Sequence, residues 1–318
     1  MAKKYTNTGN KDTRSGFGAG LLEAGRKNPN IVALTADLLG SVKMDAFAKE
    51  FPERFFQCGI AEANMIGAAA GLAITGKVAF ASSFAEFVTG RVYDQIRQEV
   101  AYGHTNVKVC ASHAGITLGE DGATHQTMED IALMRALPGM VVINPCDYNQ
   151  CKAATLAIAE YEGPVYLRFG RPTMPNFTPE DQVFEIGKAV CLNEGTDVTI
   201  FATGHLVWEA VNAAELLEAE GISAEVIDIA TIKPLDVEAV VASAKKTGAV
   251  VCAEEHNMCG GLGELIAGVL AANVPTPVEY INGGDKFGQS GTPAQLLNLY
   301  KMDAANIAEA AKRAIARK

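Results

Sequence analysis

The chain has 318 residues, of which 48% are hydrophobic and 20% are charged, as in ordinary soluble globular proteins. Its formal net charge is −10 and its pI is near 5.1. This acidic balance argues against nucleic acid and acidic membranes as main partners, because both require a basic protein face. Anionic metabolites remain compatible with it, since a few local arginines are enough to bind them.

The start of the chain, Met1 to Asn7, is polar and lacks the apolar run of a signal peptide. We also expect no membrane segment, because no uncharged apolar run reaches the roughly 18 residues that a spanning helix needs. The seven cysteines contain no Cys-x-x-Cys pair. We therefore predict no metal site in this chain and a reduced, cytoplasmic location.

Short runs rich in β-branched residues alternate with helical segments through the first half of the chain. The predicted strands are 31–35, 78–81, 107–111, 141–143 and 165–168. The predicted helices are 13–27, 61–75, 84–102, 127–136 and 147–160. Such alternation predicts a parallel sheet that is covered by helices on both faces.

Three prolines between Gly170 and Glu180 predict an extended linker. Beyond the linker the alternation resumes. The predicted elements are strands 198–202, 224–228, 249–253 and 278–281 and helices 206–219, 236–246, 261–272 and 303–316. We therefore predict two α/β domains, each a mainly parallel sheet flanked by helices, at residues 1–172 and 190–318, with a linker at 173–189.

Polar residues cluster at the ends of the predicted strands and in the turns that follow them. In doubly wound sheets, ligands bind beyond the carboxyl ends of the strands. One polar residue there would mean little, but the whole set predicts a ligand site. The set consists of Asp37, Ser41, Glu62, Ser82, Ser83, His113, Arg168 and Thr203.

The segment from Gln57 to Met65 reads Gln-Cys-Gly-Ile-Ala-Glu-Ala-Asn-Met and places Glu62 at the start of a helix rich in small residues. An acid at that position can simply complement the helix dipole. The segment, however, resembles the one that holds the cofactor-facing glutamate in thiamine-diphosphate enzymes of the transketolase family. The resemblance implies that Glu62 binds ring nitrogen N1′ and favours the imino tautomer, which removes the proton from the thiazolium carbon C2.

The same resemblance assigns further residues to the cofactor. Phe84 and Phe87, three apart in a predicted helix, match the aromatic residues that pack on the aminopyrimidine ring. The family often carries another aromatic residue three positions further on, where this chain has Gly90. We also assign Asp37, at the end of a predicted strand, to cofactor binding.

The segment from Ser112 to Gln126 is rich in glycine and contains two of the five histidines of the chain. Glycines in such a loop let backbone approach a ligand closely. In transketolases the matching aspartate contacts a substrate hydroxyl, and the matching histidines bind sugar oxygens or phosphate and assist proton transfer. The resemblance therefore implies catalytic roles for His113, Asp121 and His125.

A third group of residues resembles the phosphate site for the sugar substrate. Arg14 and Ser41 match two of the phosphate-binding positions of transketolases, and His113 is assigned to the same group. A planar guanidinium suits phosphate because it makes two parallel charge-assisted hydrogen bonds. For the third family arginine we choose Arg168, at the end of a predicted strand, with Arg171 as the alternative.

Transketolases hold the cofactor diphosphate through Mg²⁺ with a Gly-Asp-Gly motif and a downstream asparagine, and this chain has no such motif. The whole chain thus resembles the C-terminal section of a transketolase. The resemblance implies a thiamine-diphosphate-dependent subunit that transfers a two-carbon ketol unit from a ketose phosphate to an aldose phosphate, as in the pentose phosphate pathway. Mg²⁺ and the Gly-Asp-Gly motif would lie on an N-terminal partner subunit, in an α₂β₂ assembly.

Three alternatives stay open at this point. A β subunit of a 2-oxoacid dehydrogenase has a similar glutamate motif, and a deoxyxylulose-phosphate synthase shares the Asp-Gly-Ala-Thr-His run. A non-catalytic assembly subunit is the third. The loop from Gly119 to Gln126 and the phosphate-type Arg14 favour the sugar-phosphate enzyme.

Overall fold

The computed structural model describes residues 5–318. Residues 1–4 lie outside the described part. They belong to the polar segment and to the first domain that the sequence predicts. The strands are β1 (Asn10–Asp12), β2 (Ile31–Thr35), β3 (Phe55–Gln57), β4 (Val78–Phe84), β5 (Val107–Ser112), β6 (Val141–Ile143), β7 (Val165–Arg168), β8 (Thr173–Pro175), β9 (Val190–Asn193), β10 (Val198–Ala202), β11 (Ala224–Asp228), β12 (Thr231–Lys233), β13 (Val250–Ala253) and β14 (Val278–Ile281).

The α-helices are α1 (Thr13–Lys27), α2 (Asp45–Glu50), α3 (Glu62–Ile74), α4 (Ala85–Val88), α5 (Tyr93–Gln95), α6 (Asp130–Ala136), α7 (Tyr148–Glu160), α8 (Leu206–Ala219), α9 (Val237–Thr247), α10 (Leu262–Asn273), α11 (Pro293–Leu299) and α12 (Ala304–Ile315). Short 3₁₀ turns lie at Pro52–Arg54 and Ile116–Leu118, and a π-helix lies at Ile96–Tyr102. In the described part of the chain, no helix has both the length and the apolar character needed to cross a membrane.

Two large sheets form the centres of two domains. The first has the strand order β12-β6-β7-β5-β4-β2-β3 and is parallel except for β12. The second has the order β14-β13-β10-β11-β9 and is parallel except for β9. Helices pack against both sheets and bury their apolar strands. This architecture confirms the predicted fold class.

One strand crosses between the two halves of the chain. Strand β12 follows the second sheet's β11 in sequence but pairs antiparallel with β6, at the edge of the first sheet. Lys233 at its end donates hydrogen bonds to the backbone oxygens of Arg135 and Leu137. The two domains are therefore joined by sheet pairing as well as by the chain that connects them.

Helix α1 sets the position of Arg14. Asp12 caps the helix by accepting a hydrogen bond from the backbone N–H of Ser15 at 3.0 Å, which satisfies one of the free amides of the first turn. Gly16 faces helix α7, and a Cβ atom there would collide with the backbone of Tyr148. This close packing fixes α1 against α7 and places Arg14, in the first turn, at the end of the sheet that carries the site.

Two predicted segments take a different form. The predicted helix 84–102 is interrupted, because β4 continues to Phe84 and the chain leaves helical geometry at Thr89, with φ −121° and ψ −79°. Residues 173–175 of the predicted linker form β8, which pairs antiparallel with β1. The long-range pairing of β8 explains why its local sequence did not reveal it as a strand.

Candidate active site at the carboxyl ends of the first sheet

Glu62 is the first residue of α3 and is only 4% exposed. Its two carboxylate oxygens have different partners: Ser83 Oγ donates to Oε1 at 3.5 Å, and Arg91 Nη1 donates to Oε2 at 3.2 Å. A buried carboxylate must be partnered, because an unpaired charge in the interior is costly. Glu62 is thus held in a defined orientation beside the end of β4.

Two aromatic side chains lie next to this carboxylate. Phe84 ends β4 and Phe87 lies in α4, so Phe84 belongs to a strand end rather than to the predicted helix. Their rings stack with centroids 5.6 Å apart and an interplanar angle of 21°. The Arg91 guanidinium carbon lies 4.2 Å from the centroid of the Phe87 ring. The Arg91 guanidinium therefore links the Glu62 carboxylate to a pair of stacked aromatic rings.

His113 joins the same cluster from the loop after β5. Its ring stacks on Phe84 with centroids 3.7 Å apart, and its Nδ1 shares a 2.6 Å hydrogen bond with Ser112 Oγ. Burial, followed by the positive charges of Arg14 and Arg171, lowers the pKa of His113 to about 3. The imidazole is therefore neutral near pH 7.

The rest of the glycine-rich loop bends back over these rings. The ring of His125 lies edge-on to Phe87 at 5.4 Å between centroids, and its Nδ1 is 2.9 Å from Thr124 Oγ1. Asp121 lies on the exposed part of the loop. Gly122 has φ +76°, and a Cβ atom there would come within 2.5 Å of Ser290 Oγ, so this turn requires glycine.

Arg14 and Ser41 lie together, as the predicted phosphate site requires. Arg14 Nη1 donates to the backbone oxygen of Ser41 at 3.2 Å, and its Nε bonds Asp12 Oδ1 at the same distance. Burial lowers the pKa of Arg14, and the nearby charge of Arg171 acts in the same direction. The charge of Arg171 also contributes to the lowered pKa of His113.

Arg168 requires a correction. It is buried and makes a bidentate ion pair with Asp130, with Nε–Oδ2 at 2.7 Å and Nη2–Oδ1 at 3.3 Å. Its Nη2 also donates to the backbone oxygen of Glu255 at 2.8 Å. Because Arg168 is buried and its Nε and Nη2 are bonded inside the protein, its position argues against the predicted role as a phosphate ligand.

Arg171, the alternative, has the accessible guanidinium. Its side chain is 38% exposed, and Nη1 donates to Leu118 O at 2.9 Å and to Glu120 Oε2 at 2.7 Å. These contacts hold it against the loop that carries His113 and His125. The geometry therefore favours Arg171 over Arg168 as the third phosphate arginine.

Asp37 lies two residues beyond β2 in a left-handed conformation, with φ +61°. Its backbone N–H donates to Gln57 Oε1 at 2.6 Å, and its own carboxylate is exposed. Gln57 thereby ties the start of the glutamate segment to the end of β2. The Asp37 side chain is left accessible at the same edge of the sheet as Glu62.

Two family models match this chain. "Transketolase, pyrimidine binding domain" matches residues 10–176, and "Transketolase, C-terminal domain" matches residues 187–307. This chain belongs to the transketolase family. The predicted resemblance is thus confirmed over nearly the whole sequence.

Several relatives of similar length are described as a section or a subunit of a transketolase. A protein described as a transketolase C-terminal section, from Methanocaldococcus jannaschii, is 51% identical, with 94% of this chain and 95% of the relative covered. A 6-deoxy-6-sulfo-D-fructose transketolase subunit from Clostridium sp. strain MSTE9 is 45% identical, with 94% and 92% covered. The prediction that this chain corresponds to the C-terminal section of a transketolase is therefore confirmed.

Solved structures agree with this assignment. A chain described as "Split gene transketolase, inactive beta4 tetramer" is 48% identical with a TM-score of 0.91, covering 96% of this chain and 98% of that one. A Pichia stipitis transketolase in complex with sedoheptulose 7-phosphate has a TM-score of 0.82 at 25% identity, covering 98% of this chain but 47% of its own. This transketolase-family chain therefore corresponds to about half of that enzyme.

Two residues that contact the candidate site were not among the residues predicted from the sequence. Arg91 contacts both Glu62 and Phe87, and it directly follows Gly90, the one position where the aromatic pattern fails. Glu255 follows a strand of the second domain and is absent from the predicted set of site residues. Its Oε1 accepts a hydrogen bond from the backbone N–H of Thr117 at 2.9 Å, so it anchors the loop of His113 to the second domain.

His205 completes that interdomain contact. Its Nδ1 lies 3.4 Å from Glu255 Oε2 and 3.4 Å from Thr117 Oγ1, and all three residues are buried. Burial would raise the pKa of Glu255, but its bond to His205 and the charge of Arg168 together hold that pKa below its ordinary value. The carboxylate therefore remains charged and anchors the loop through a charge-assisted hydrogen bond from Thr117 N–H.

Proposed function

We propose that this chain is the catalytic C-terminal subunit of a two-chain transketolase, with thiamine diphosphate bound between this subunit and an N-terminal one. The buried Glu62 carboxylate beside the Phe84–Phe87 surface carries the proposal. A planar, nitrogen-rich aminopyrimidine needs an acceptor at its edge and an aromatic face beneath it, and these residues supply both. Asp37, at the same edge of the sheet, is proposed as a further contact.

The chemistry expected of this chain's residues follows from their surroundings. When bound, thiamine diphosphate supplies the thiazolium that stabilises the negative charge released when the ketose carbon bond breaks. Glu62 would hold the proton of the aminopyrimidine N1′ atom. Burial and a second oxygen bonded to Ser83 keep that carboxylate oriented.

The sugar end of the site would use the glycine-rich loop. His113 is neutral and its Nδ1 is engaged by Ser112, which leaves Nε2 for a sugar oxygen. His125 and Asp121 would bind and orient the substrate hydroxyls, and His125 would assist proton transfer. Arg14 and Arg171 would bind the substrate phosphate, together with Ser41 and His113.

The partner would complete the cofactor site. Mg²⁺ and the diphosphate would be held by an N-terminal subunit with the Gly-Asp-Gly motif, because Mg²⁺ takes carboxylate, amide and phosphate oxygens. A structural relative described as an inactive β4 tetramer is consistent with a C-terminal chain that needs its partner. We propose an α₂β₂ assembly in the cytoplasm, acting on sugar phosphates of the pentose phosphate pathway.

Reconstitution tests this function. The chain would be mixed with an N-terminal subunit that carries Gly-Asp-Gly, and ketol transfer measured with thiamine diphosphate, Mg²⁺ and a panel of ketose phosphates and aldose acceptors. A panel is needed because relatives are named for different sugars, among them apulose 4-phosphate in Phocaeicola vulgatus. We expect activity only from the mixture. Full activity from this chain alone would refute the shared site.

The role of Glu62 is tested with the variant Glu62→Gln in the reconstituted complex. This substitution keeps the shape of the side chain but removes its charge and basicity. We expect it to assemble with the partner and to lose on the order of 10²- to 10⁴-fold in turnover. Glu50→Gln, on the exposed surface of α2, is the control and should retain full activity. Unchanged ketol transfer in Glu62→Gln would remove the proposed role.

A further inference from the structure

The side chain of Arg91 occupies both features that the proposed cofactor site offers to a ring. Its Nη1 donates to Glu62 Oε2 at 3.2 Å, and its guanidinium carbon lies 4.2 Å from the centroid of Phe87. A guanidinium is planar, cationic and rich in N–H donors, and it stacks on aromatic faces. In these respects it resembles an aminopyrimidine ring that donates to a carboxylate while lying on a phenyl ring.

The burial of Glu62 explains why its carboxylate needs a donor such as the Arg91 guanidinium before any cofactor binds. The carboxylate is 4% exposed, and Ser83 alone would leave Oε2 without a donor. An unpartnered buried charge is costly, so the subunit is more stable with Arg91 in this position. The same contact, however, fills the acceptor oxygen and part of the aromatic surface that the ring would use.

We propose that Arg91 is a displaceable placeholder, which pairs with Glu62 in the cofactor-free subunit and swings out when thiamine diphosphate binds. This inference rests on the proposed function, because it assumes that Glu62 and Phe87 receive the cofactor ring. The cofactor ring would take the same acceptor position at Oε2 and the same face of Phe87 that the guanidinium occupies. Cofactor binding therefore has to break the Arg91–Glu62 ion pair.

The surroundings of Arg91 allow this movement. Its side chain is 51% exposed, so the guanidinium can leave towards solvent. Gly90 before it has no side chain, and a Cβ atom there would meet only Glu86 atoms, at 3.8 and 3.9 Å. Glu86 Oε1, the nearer of these atoms, places a carboxylate beside the residue that precedes Arg91, and we propose that it receives the displaced guanidinium.

Calorimetric titration of thiamine diphosphate with Mg²⁺ into the reconstituted complex tests the placeholder, since it reads binding rather than turnover. Arg91→Ala should tighten the dissociation constant about fivefold, the worth of a half-exposed ion pair. Arg91→Lys keeps the charge but loses the stacked plane, and it should fall between Arg91→Ala and the parent. Arg26→Ala, which removes an exposed arginine from its 2.7 Å pair with Glu50, should leave the constant unchanged.

The result that overturns the inference is equal or weaker binding in Arg91→Ala, with thermal melting showing that the variant is folded. Weaker binding would mean that Arg91 holds the cofactor instead of yielding to it. Glu62→Ala separates this failure from failure of the proposed function. If Glu62→Ala weakens binding while Arg91→Ala does not tighten it, only the placeholder fails; if neither variant changes binding, Glu62 is not a cofactor ligand.

A double variant completes the test. In the Glu62→Ala background the ion pair is already absent. Adding Arg91→Ala to that variant should therefore leave the dissociation constant the same as in Glu62→Ala alone. Tightening of the same size in both backgrounds would show that Arg91 acts on the cofactor independently of Glu62. That outcome would also overturn the placeholder.

Discussion

The ring of His113 stacks on the ring of Phe84, with centroids 3.7 Å apart and planes 26° apart. Phe84 ends the strand that borders Glu62, whereas His113 begins the loop that carries Asp121 and His125. The contact joins the cofactor side of the site to the sugar side. A change at His113 should therefore affect more than one step of the reaction.

His113→Ala should reduce kcat/KM for the ketose phosphate by on the order of 10²-fold or more, because a neutral hydrogen-bonding group is removed from the substrate. Weaker cofactor binding should accompany it, since Phe84 loses the ring stacked on it. Steady-state kinetics and calorimetry measure the two effects. His104→Ala, on the far side of the first domain near Gly163, is the control, and parent-like kinetics in His113→Ala would contradict the assignment.

Arg171→Gln should raise the KM for phosphorylated donors by roughly tenfold or more while leaving folding stability nearly unchanged. Its guanidinium is partly exposed and lies in the region of Arg14 and His113. Loss of one charge-assisted contact accounts for an effect of that size. Comparing phosphorylated with unphosphorylated ketoses identifies the cause, because only the phosphorylated donor should be affected.

Arg168→Gln should behave in the opposite way. It leaves Asp130 as a buried charge without its arginine, which costs about 3 to 5 kcal/mol of unfolding free energy. Denaturant unfolding measures the loss. If Arg168→Gln instead folded normally and showed a phosphate-specific rise in KM, the original choice of Arg168 would be restored.

Glu255→Ala should weaken the attachment of the loop that contains His113 to the second domain. The variant removes the acceptor of the buried Thr117 N–H and the partner of His205. The free energy of unfolding should fall by about 1 to 3 kcal/mol. Glu255→Gln keeps an acceptor for Thr117 and should recover part of that loss. Hydrogen exchange at Thr117 should be faster in the alanine variant, and unchanged exchange would argue against the anchor.

We expect the free energy of unfolding to depend on pH because of Asp228. It is buried, it accepts a hydrogen bond from Gln150 Nε2 at 2.5 Å, and burial raises its pKa to about 7. The folded-state pKa lies above the unfolded value of about 3.9, so folding favours the protonated form. This contribution is complete below pH 4 and is lost as the pH rises towards 7.

Asp228→Asn removes that dependence while keeping an acceptor for Gln150. Relative to the parent, the variant should gain roughly 2 kcal/mol of unfolding free energy between pH 5 and pH 8. Urea unfolding at the two pH values measures the difference. The exposed Asp285→Asn serves as the control, and an equal response to pH in parent and variant would refute a raised pKa at Asp228.

Local patterns predicted most of the regular structure. The runs 31–35, 141–143, 165–168, 198–202 and 224–228 are strands at the predicted bounds, because each is a short, mainly apolar run that is buried within a parallel part of a sheet. Strands β1, β3, β8, β9 and β12 were not predicted. Each has only three or four residues and is defined by pairing with a strand elsewhere in the chain, and a local pattern carries no information about such pairing.

The sequence predicted some residues of the candidate site but could not distinguish between others. Glu62 and His113 were assigned through the family resemblance, and the structure brings both to the Phe84–Phe87 surface. Arg168 and Arg171 could not be separated, because both follow the same strand and have the same chemistry. Burial beside Asp130 distinguishes them, and burial depends on side chains that are remote in sequence.

The sequence by itself determined that this chain has two α/β domains, belongs with transketolases and lacks the diphosphate-binding element, since apolar periodicity and contiguous motifs are local properties. Only the tertiary structure decided which charged groups face each other. Arg91 meets Glu62 across 29 residues, and Glu255 meets Thr117 across 138. Both carboxylates require these partners because folding excludes water from Glu62 and Glu255, and that exclusion is not written in either segment alone.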